Sequence, residues 1–490
     1  MNIALNIPAT KTSKQEWWFY ALSALVLLAC IAIFSSTHYY FVIAIPFVIP
    51  FAAWIILNWK SFYWFYVVCI PLTVIVQVGG SSMMYLPQLP LTLLTAGLTL
   101  ILLLFHKRIV YENLLRHPLT LIIFLQYFWL IVSVLFSQIP LFSVKYLGVN
   151  TIQLLSFFIL PAIVLQTKKD VGNVAKAFLI PMTLVALYVF LHHAYYRFGY
   201  IQTNKAAKPF FYNHVDHACI MSMVLPVFYI LWRYYKDNKM LRWFFFALLL
   251  FYILGMYLAF ARAAMLGTIF AFVVLWCIKK KLVNWLMPLF FIFCFTIIGF
   301  MVQNNKYIDY RPDFKQTYSR HTFNDLIKAS FVGGDMSSME RFFRWIASAR
   351  MSQEHPLVGV GPNNFYYYYK PHAVTVFKTY VSANPEKSTT HNYFLFLLVE
   401  QGWPSMLLYG IFIAAVFYHA QKLYHRTTDR FYQHTVLASA MIIAAFFLNN
   451  LFSELLQTYK IGALFYFAVV LLYWVDRQIK KEAGLIPPTT

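Results

Sequence analysis

The feature that most constrains this chain is the repetition of long, nearly charge-free apolar runs along most of its length. About 20 apolar residues wound as a helix are as long as the hydrocarbon core of a bilayer is thick. Of the 490 residues, 61% are hydrophobic and 11% are charged, whereas a soluble domain carries about 25% charged residues. A soluble enzyme is therefore excluded. The runs are continuous rather than alternating, which excludes a β-barrel, and 20% aromatic residues exclude disorder. The formal charge of +22 does not indicate nucleic acid, because the basic residues are scattered between apolar spans rather than gathered on one domain. The sequence predicts an all-α polytopic membrane protein with about 12–14 transmembrane helices.

The runs fall near 17–36, 39–58, 61–78, 89–105, 118–136, 147–166, 173–193, 218–232, 241–260, 263–278, 284–302, 392–420, 434–452 and 461–475. The 392–420 run is too long for one simple span and contains Glu400, Gly402 and Pro404, so a short re-entrant piece followed by a helix is one way to accommodate it. With both termini inside, cytoplasmic segments hold 22 of the 39 Lys and Arg, short outer loops hold 6, and the long segment 303–391 holds 11. Short loops set orientation and long ones cross regardless of charge, so 22 against 6 predicts N-in and C-in. Three parts follow: N-terminal helices over 1–302, about 11 spans; a long outer segment over 303–391; and C-terminal helices with a short tail over 392–490. The five cysteines sit in or beside apolar spans and read as small hydrophobes.

The outer segment opens with polar and aromatic residues and passes a turn at Gly333-Gly334-Asp335. Ser337 followed by Glu340 is a capping box, and the helix it starts should run to His355, before Pro356. Arg341, Arg344 and Ser348 share one face of this amphipathic helix; Phe342, Trp345, Ile346 and Ala349 share another. The arginines either meet lipid phosphates at the interface or are aimed at a bound phosphorylated substrate. Residues 356–365, PLVGVGPNNF, should form a tight loop against the membrane. The four tyrosines Tyr366 to Tyr369 suit sugar rings and a lipid interface equally.

Arg262 stands between two apolar runs with no acidic residue nearby in sequence. The small neighbours Ala261, Ala263, Ala264 and Gly267 permit close helix packing, which would hold a guanidinium in a fixed place suited to phosphate; a snorkelling anchor is the plainer alternative. His391 stands at a helix start, where the dipole lowers an imidazole pKa and a neutral ring can act as a general base; an interfacial polar residue is the plainer alternative. Glu400 is nine residues further on, too far along a helix to orient His391, and reads as a fold residue. The outer loop 194–217 carries Lys205, Lys208, Asn213, His214, Asp216 and His217. His214 and His217 are spaced as two metal ligands could be, but no third ligand is placed. No metal site and no cofactor are expected.

Four segments in order around the long outer segment resemble the O-antigen ligase/polymerase family of bacterial envelope enzymes: FFYNHVDHACIMSMVLPV (210–227), FARAAMLG with Arg262, RWIASARMSQEHPLVGVGPNNF (344–365), and HNYFLFLLVEQGWPS. The last fits the ligase pattern of His, Asn, nine residues and Gly at His391, Asn392 and Gly402. Ser405 stands where that pattern has Gly, Thr or Tyr. Lys205 or Lys208 stands where the family has an arginine, and gives charge without a bidentate fork. The resemblance implies a glycosyltransferase of the bacterial inner membrane, acting on the periplasmic face. The implied donor is a glycan on undecaprenyl diphosphate and the acceptor is lipid A–core or another glycan hydroxyl, with membrane lipid around it and no nucleic acid partner. By the same resemblance His391 and Arg262 are catalytic, and Lys205, Lys208, His214, Arg341, Arg344 and Asn392 bind donor diphosphate or glycan. The short outer loops 36–38 and 79–88 lack the acidic residues with which metal-dependent polyprenyl transferases hold their ion, so the chemistry is expected to be metal-independent and inverting. O-antigen ligase is the first expectation; a polymerase, then a protein O-oligosaccharyltransferase, are the alternatives. A flippase is the alternative of a different class.

Overall fold

A computed structural model describes residues 54–77, 83–105, 114–308, 336–373 and 389–485, together with scattered positions before 54. The expected spans 17–36 and 39–58 lie mostly outside the described residues, as do the turn at 333–335 and most of 303–335. Among the described residues, ten helices are long and apolar enough to cross a membrane. Together with the near absence of sheet they make this an all-α polytopic membrane protein. Residues up to 63 form one compact unit and residues from 64 onward a second; the description below concerns the second.

Helix α1 (Trp59–Leu72) is shorter than the run that suggested a span over 61–78. After Thr73 the chain turns into a two-stranded antiparallel hairpin, β1 (Val74–Gln77) and β2 (Met83–Leu86), with Val74 opposite Leu86. The β-branched run at Val74 to Val76 favours the strand. Helices α2 (Gln88–Phe105), α3 (Pro118–Leu135) and α4 (Pro140–Val164) follow. Proline opens α3 and α4, where its missing N–H costs nothing, and α4 loosens to π geometry over Leu154–Ile159, just ahead of Pro161. Helix α5 (Lys168–Tyr195) begins with a reciprocal capping box between Thr167 and Asp170. A short helix α6 (Thr203–Ala207) leads to α7 (His214–Tyr234), α8 (Lys239–Leu258), α9 (Arg262–Lys279) and α10 (Val283–Val302).

The long segment between α10 and the last three helices contributes α11 (Met336–Glu354) and α12 (Phe365–His372). Helices α13 (Tyr393–Arg426), α14 (Arg430–Asn450) and α15 (Tyr459–Glu482) complete the chain. The tightest packing joins α7, α9 and α14. Gly267 lets α9 approach the Ala445 backbone of α14, and Asn449 donates to the Ser222 hydroxyl of α7 at 3.1 Å. This is the small-residue and polar-link packing that helices use where the surroundings are as apolar as their side chains.

The beginnings of α4, α7, α9, α13 and α15 gather at one face. Gln138 before α4 bonds Val360, Asn392 before α13 bonds Leu451 after α14, and Lys460 of α15 bonds Phe210 before α7. The opposite face holds the other turns, tied by Lys168 to Asp429 at 2.6 Å and by Arg477 to Gln166 at 2.8 Å.

Candidate functional site

The site is built on a break in α13. Gly402 has φ 79 and ψ 178 inside an otherwise helical run, a conformation open essentially to glycine alone. Pro404 has no N–H to return to the Glu400 carbonyl, so the helix cannot close there. Each freed carbonyl finds another donor. Val360 N–H bonds Val399 at 2.9 Å and Gly361 N–H bonds Glu400 at 3.1 Å. The Trp129 indole bonds Gln401 at 2.8 Å. In return Trp403 N–H bonds the Pro356 carbonyl at 2.9 Å. The loop 356–364 is therefore seated against the broken helix, not only against a membrane as the sequence suggested.

The Glu400 side chain completes this clamp. It is fully buried and accepts the N–H groups of Asn363 at 2.6 Å and Phe365 at 3.1 Å. Gly359 and Gly361 take φ 69 and 101, and a Cβ on either would collide with α13 or with Ser137. The long 392–420 run thus resolves into a short helix before Gly402 and a long one after it.

The clamp fixes α11 above α13. The buried side of α11 is Phe343, Arg344, Ala347, Ser348, Met351 and Ser352. Ala347 and Met351 pack with Val360, Phe365, Tyr369 and Val399. The arginine and serine face is thus turned into the protein, while Ala349, expected on the apolar face, is exposed. Arg344 is only 4% exposed and donates to the Thr389 carbonyl at 3.0 Å. The tyrosines divide: Tyr369 is buried, whereas Tyr367 is exposed and stacks on Phe142 with ring centroids 5.1 Å apart.

Thr389 leads into the turn that carries His391. His391 has φ 53, left-handed for a non-glycine residue, and such strain persists only where the surroundings over-determine it. Here they do. Asn392 caps α13 by accepting the N–H groups of Phe394 and Leu395 at 3.0 and 3.1 Å, and its amide donates to Leu451 at 3.1 Å. Glu454, on the loop after α14, accepts the Thr390 hydroxyl at 2.5 Å and the Asn392 N–H at 3.4 Å. Asn392 is thereby occupied as a cap and brace.

The His391 imidazole is half-buried, and no hydrogen bond joins it to a described residue. Burial, then the charges of Arg344 and Arg341, hold its pKa down at about 3. The imidazole is neutral at physiological pH, chiefly through burial and neighbouring cations. Burial pushes the Glu454 carboxyl up to about 7, against the hydrogen bonds it accepts and the charge of Arg344. Two titratable groups on adjoining loops are thus driven in opposite directions, a pattern that marks acid–base sites.

Arg341 also faces His214, the first residue of α7, so His214, Arg341, Arg344 and His391 are brought together. The His214 Nδ1 lies 2.7 Å from the Asn204 side-chain oxygen, which ties it to α6. Ala218 of α7 packs with Ala259, Ala261 and Ala264, which places Arg262 at the N-terminus of α9 beside the first turns of α7. A cation at the positive end of a helix dipole is unfavourable by itself and favourable when an anion bridges both. Lys205 and Lys208 are exposed on and just after α6, and among the described residues no hydrogen bond or ion pair joins either side chain to the His391 turn.

His217 is buried against Phe211, with 5.1 Å between ring centroids. Among the described residues one group has metal-ligand geometry, His117, His419 and Asp476. It lies at the opposite end of the bundle, where Lys480 sits 2.6 Å from Asp476.

Glu454 and Lys460 were not singled out from the sequence. Glu454 lies in FSELLQ, one acidic residue between two apolar runs, and that isolation was the available signal. Lys460 is buried, donates to Pro71 and Phe210 carbonyls at 2.8 Å each, and braces the segment that leads into α7.

Residues 246–410 match the family model described as O-Antigen ligase. The match takes in Arg262, Arg341, Arg344, His391, Asn392 and Gly402, and leaves Lys205, Lys208, His214 and Glu454 outside it. No curated protein matches the chain. Residues 246–410, which hold the broken helix and the arginine helix above it, are thus similar to the O-antigen ligase family.

Proposed function

We propose that this protein transfers a glycan from undecaprenyl diphosphate to an acceptor hydroxyl at the periplasmic face of the bacterial inner membrane, acting foremost as an O-antigen ligase with lipid A–core as acceptor. The observation that carries this reading is the neutral imidazole of His391, which no described residue hydrogen-bonds, beside Arg344 and Arg341 on a turn whose backbone is held in place. His391 accepts the proton of the acceptor hydroxyl as the oxygen attacks the anomeric carbon. The bond from that carbon to the diphosphate breaks with inversion, and the diphosphate leaves as an anion. Arg262, Arg341 and Arg344 meet the charge that grows on it, the role a metal ion fills elsewhere. Lys205 and Lys208 add charge at the rim, and His214 and Asn392 shape the pocket for the donor.

The low proton affinity of His391 fits this sequence of events. In the empty site the two arginines oppose a charge on the imidazole. A diphosphate seated among them offsets that charge and raises the affinity of His391 for a proton when the donor is bound. The N-in, C-in orientation, supported by the placement of Lys and Arg, puts this face outside.

The test is transfer by the purified protein in detergent or vesicles, with a lipid-linked oligosaccharide, lipid A–core and no energy source. Capped lipid A–core is the expected product, and its loss in His391→Ala is the expected control. Longer lipid-linked chains would mean a polymerase, and glycosylated Ser or Thr would mean a protein transferase. Movement of donor without transfer would mean a flippase.

A further inference from the structure

On the face opposite His391, the ends of three helices meet in a cleft that the transfer reaction does not use. Arg233 is in the last turn of α7 and Lys236 follows it. Lys279 is in the last turn of α9, and Arg430 and His434 are in the first turns of α14. All line one cleft with Tyr229 and Tyr424. His434 lies within electrostatic reach of Arg430, Lys279 and Arg233. The carboxylate at the rim, Asp237, is already engaged by Arg430 at 3.2 Å. No ion pair to Arg233, Lys236 or Lys279 occurs among the described residues.

Orientation of a membrane protein requires basic residues in the loops of one face, but it does not require them to converge. Bringing three helix ends together so that four fixed cations share a cleft adds repulsion that a bound anion removes. The cleft lies at the end of the spans, at headgroup depth. Leu266, Ile269, Val273 and Trp276 form an exposed apolar stripe along α9 that leads to Lys279. Their spacing of three, four and three residues keeps them on one side of the helix, and the stripe ends in a tryptophan, the residue that favours the interface.

We propose that the cleft between α7, α9 and α14 binds the phosphodiester headgroup of an anionic glycerophospholipid, with an acyl chain along the Leu266-to-Trp276 stripe. Basic pockets between helices on the positively charged face suit such headgroups. The ligand class follows from the charge, the depth and the adjoining apolar stripe, and the site is separate from the donor site.

The experiment uses the full-length protein in neutral detergent, with thermal unfolding and native mass spectrometry as readouts. The additions are phosphatidylglycerol, phosphatidylcholine, inorganic phosphate and soluble glycerophosphoglycerol. Phosphatidylglycerol should raise the unfolding midpoint and remain bound in the wild type, and phosphatidylcholine should do neither. In Arg233→Gln/Lys279→Gln the rise should fall by at least half, whereas Lys422→Gln, which removes a cation of the same face outside the cleft, should retain it. If the double variant does not fold, Lys236→Gln should weaken binding and Arg233→Lys should preserve it. An equal response in the cleft variants and the wild type overturns the site. An equal response to glycerophosphoglycerol or inorganic phosphate overturns the lipid assignment.

Discussion

The Glu400 carboxylate accepts the backbone N–H of Asn363 at 2.6 Å, across 37 residues of sequence. With its second oxygen on the Phe365 N–H at 3.1 Å, it ties the glycine loop to the broken helix. An amide offers one acceptor oxygen where the carboxylate offers two. Glu400→Gln should therefore leave one buried N–H without a partner and cost about 1–3 kcal/mol. A lower unfolding midpoint in detergent checks this, with transfer falling in parallel because α11 rests on the same loop.

Gly402 is the position least tolerant of a side chain. At φ 79 and ψ 178 a Cβ is strained before any contact is counted, and it would run into the Leu357 carbonyl. Gly402→Ala should yield little folded protein in the membrane fraction. Ser405→Ala is the milder comparison: it introduces no Cβ and removes a hydroxyl bond to Gln401 across the break, at 2.9 Å.

Arg344 and His391 separate folding from chemistry. His391→Ala should fold and insert, with transfer reduced on the order of 10²- to 10⁴-fold. Arg344→Lys keeps the charge but loses the fork, so it should not restore transfer to the wild-type rate. Initial rates with lipid-linked donor, set beside equal amounts of folded protein, check both.

Glu454 and His391 should give pH dependences of opposite sign. The Glu454 pKa is raised from 4.5 to about 7 on folding, so the folded state holds a proton that the unfolded chain releases. That stabilisation is present below pH 4.5 and is lost as pH rises towards 7. The His391 pKa is lowered from 6.5 to about 3, so its contribution is present above pH 6.5 and is lost as pH falls towards 3. Relative to Glu454→Gln, the wild type should lose stability between pH 5 and 7. Relative to His391→Ala, it should gain stability over that range. Unfolding midpoints at several pH values check both slopes.

Removal of divalent metal should leave transfer intact, because the arginines supply the positive charge that stabilises the departing diphosphate. Rates before and after treatment with EDTA check this, and a loss restored by one added metal would contradict it.

The membrane class, the placement of most spans and the helix over 336–354 were legible in the sequence because apolar period and length express local preferences. His391 and Arg262 stood out because a charged or titratable group at the edge of an apolar run costs energy unless something answers it, and Arg341 and Arg344 because helical spacing puts them on one face. Which face of α11 turned inward was not legible. That choice depended on the loop 356–364, whose seat is the set of carbonyls freed by Gly402 and Pro404. The strand after Leu72 was missed because a short apolar β-branched run reads equally as the end of a helix. Glu454 and the cleft of Arg233, Lys279 and Arg430 were invisible for a further reason. Each is assembled from residues far apart in the chain, and sequence order carries no distance between them. The sequence by itself determined that this chain lives in a bilayer and which residues must sit at its edge. Only the tertiary structure decided which of those residues share a site, because helix packing and the pairing of freed backbone groups set their proximity.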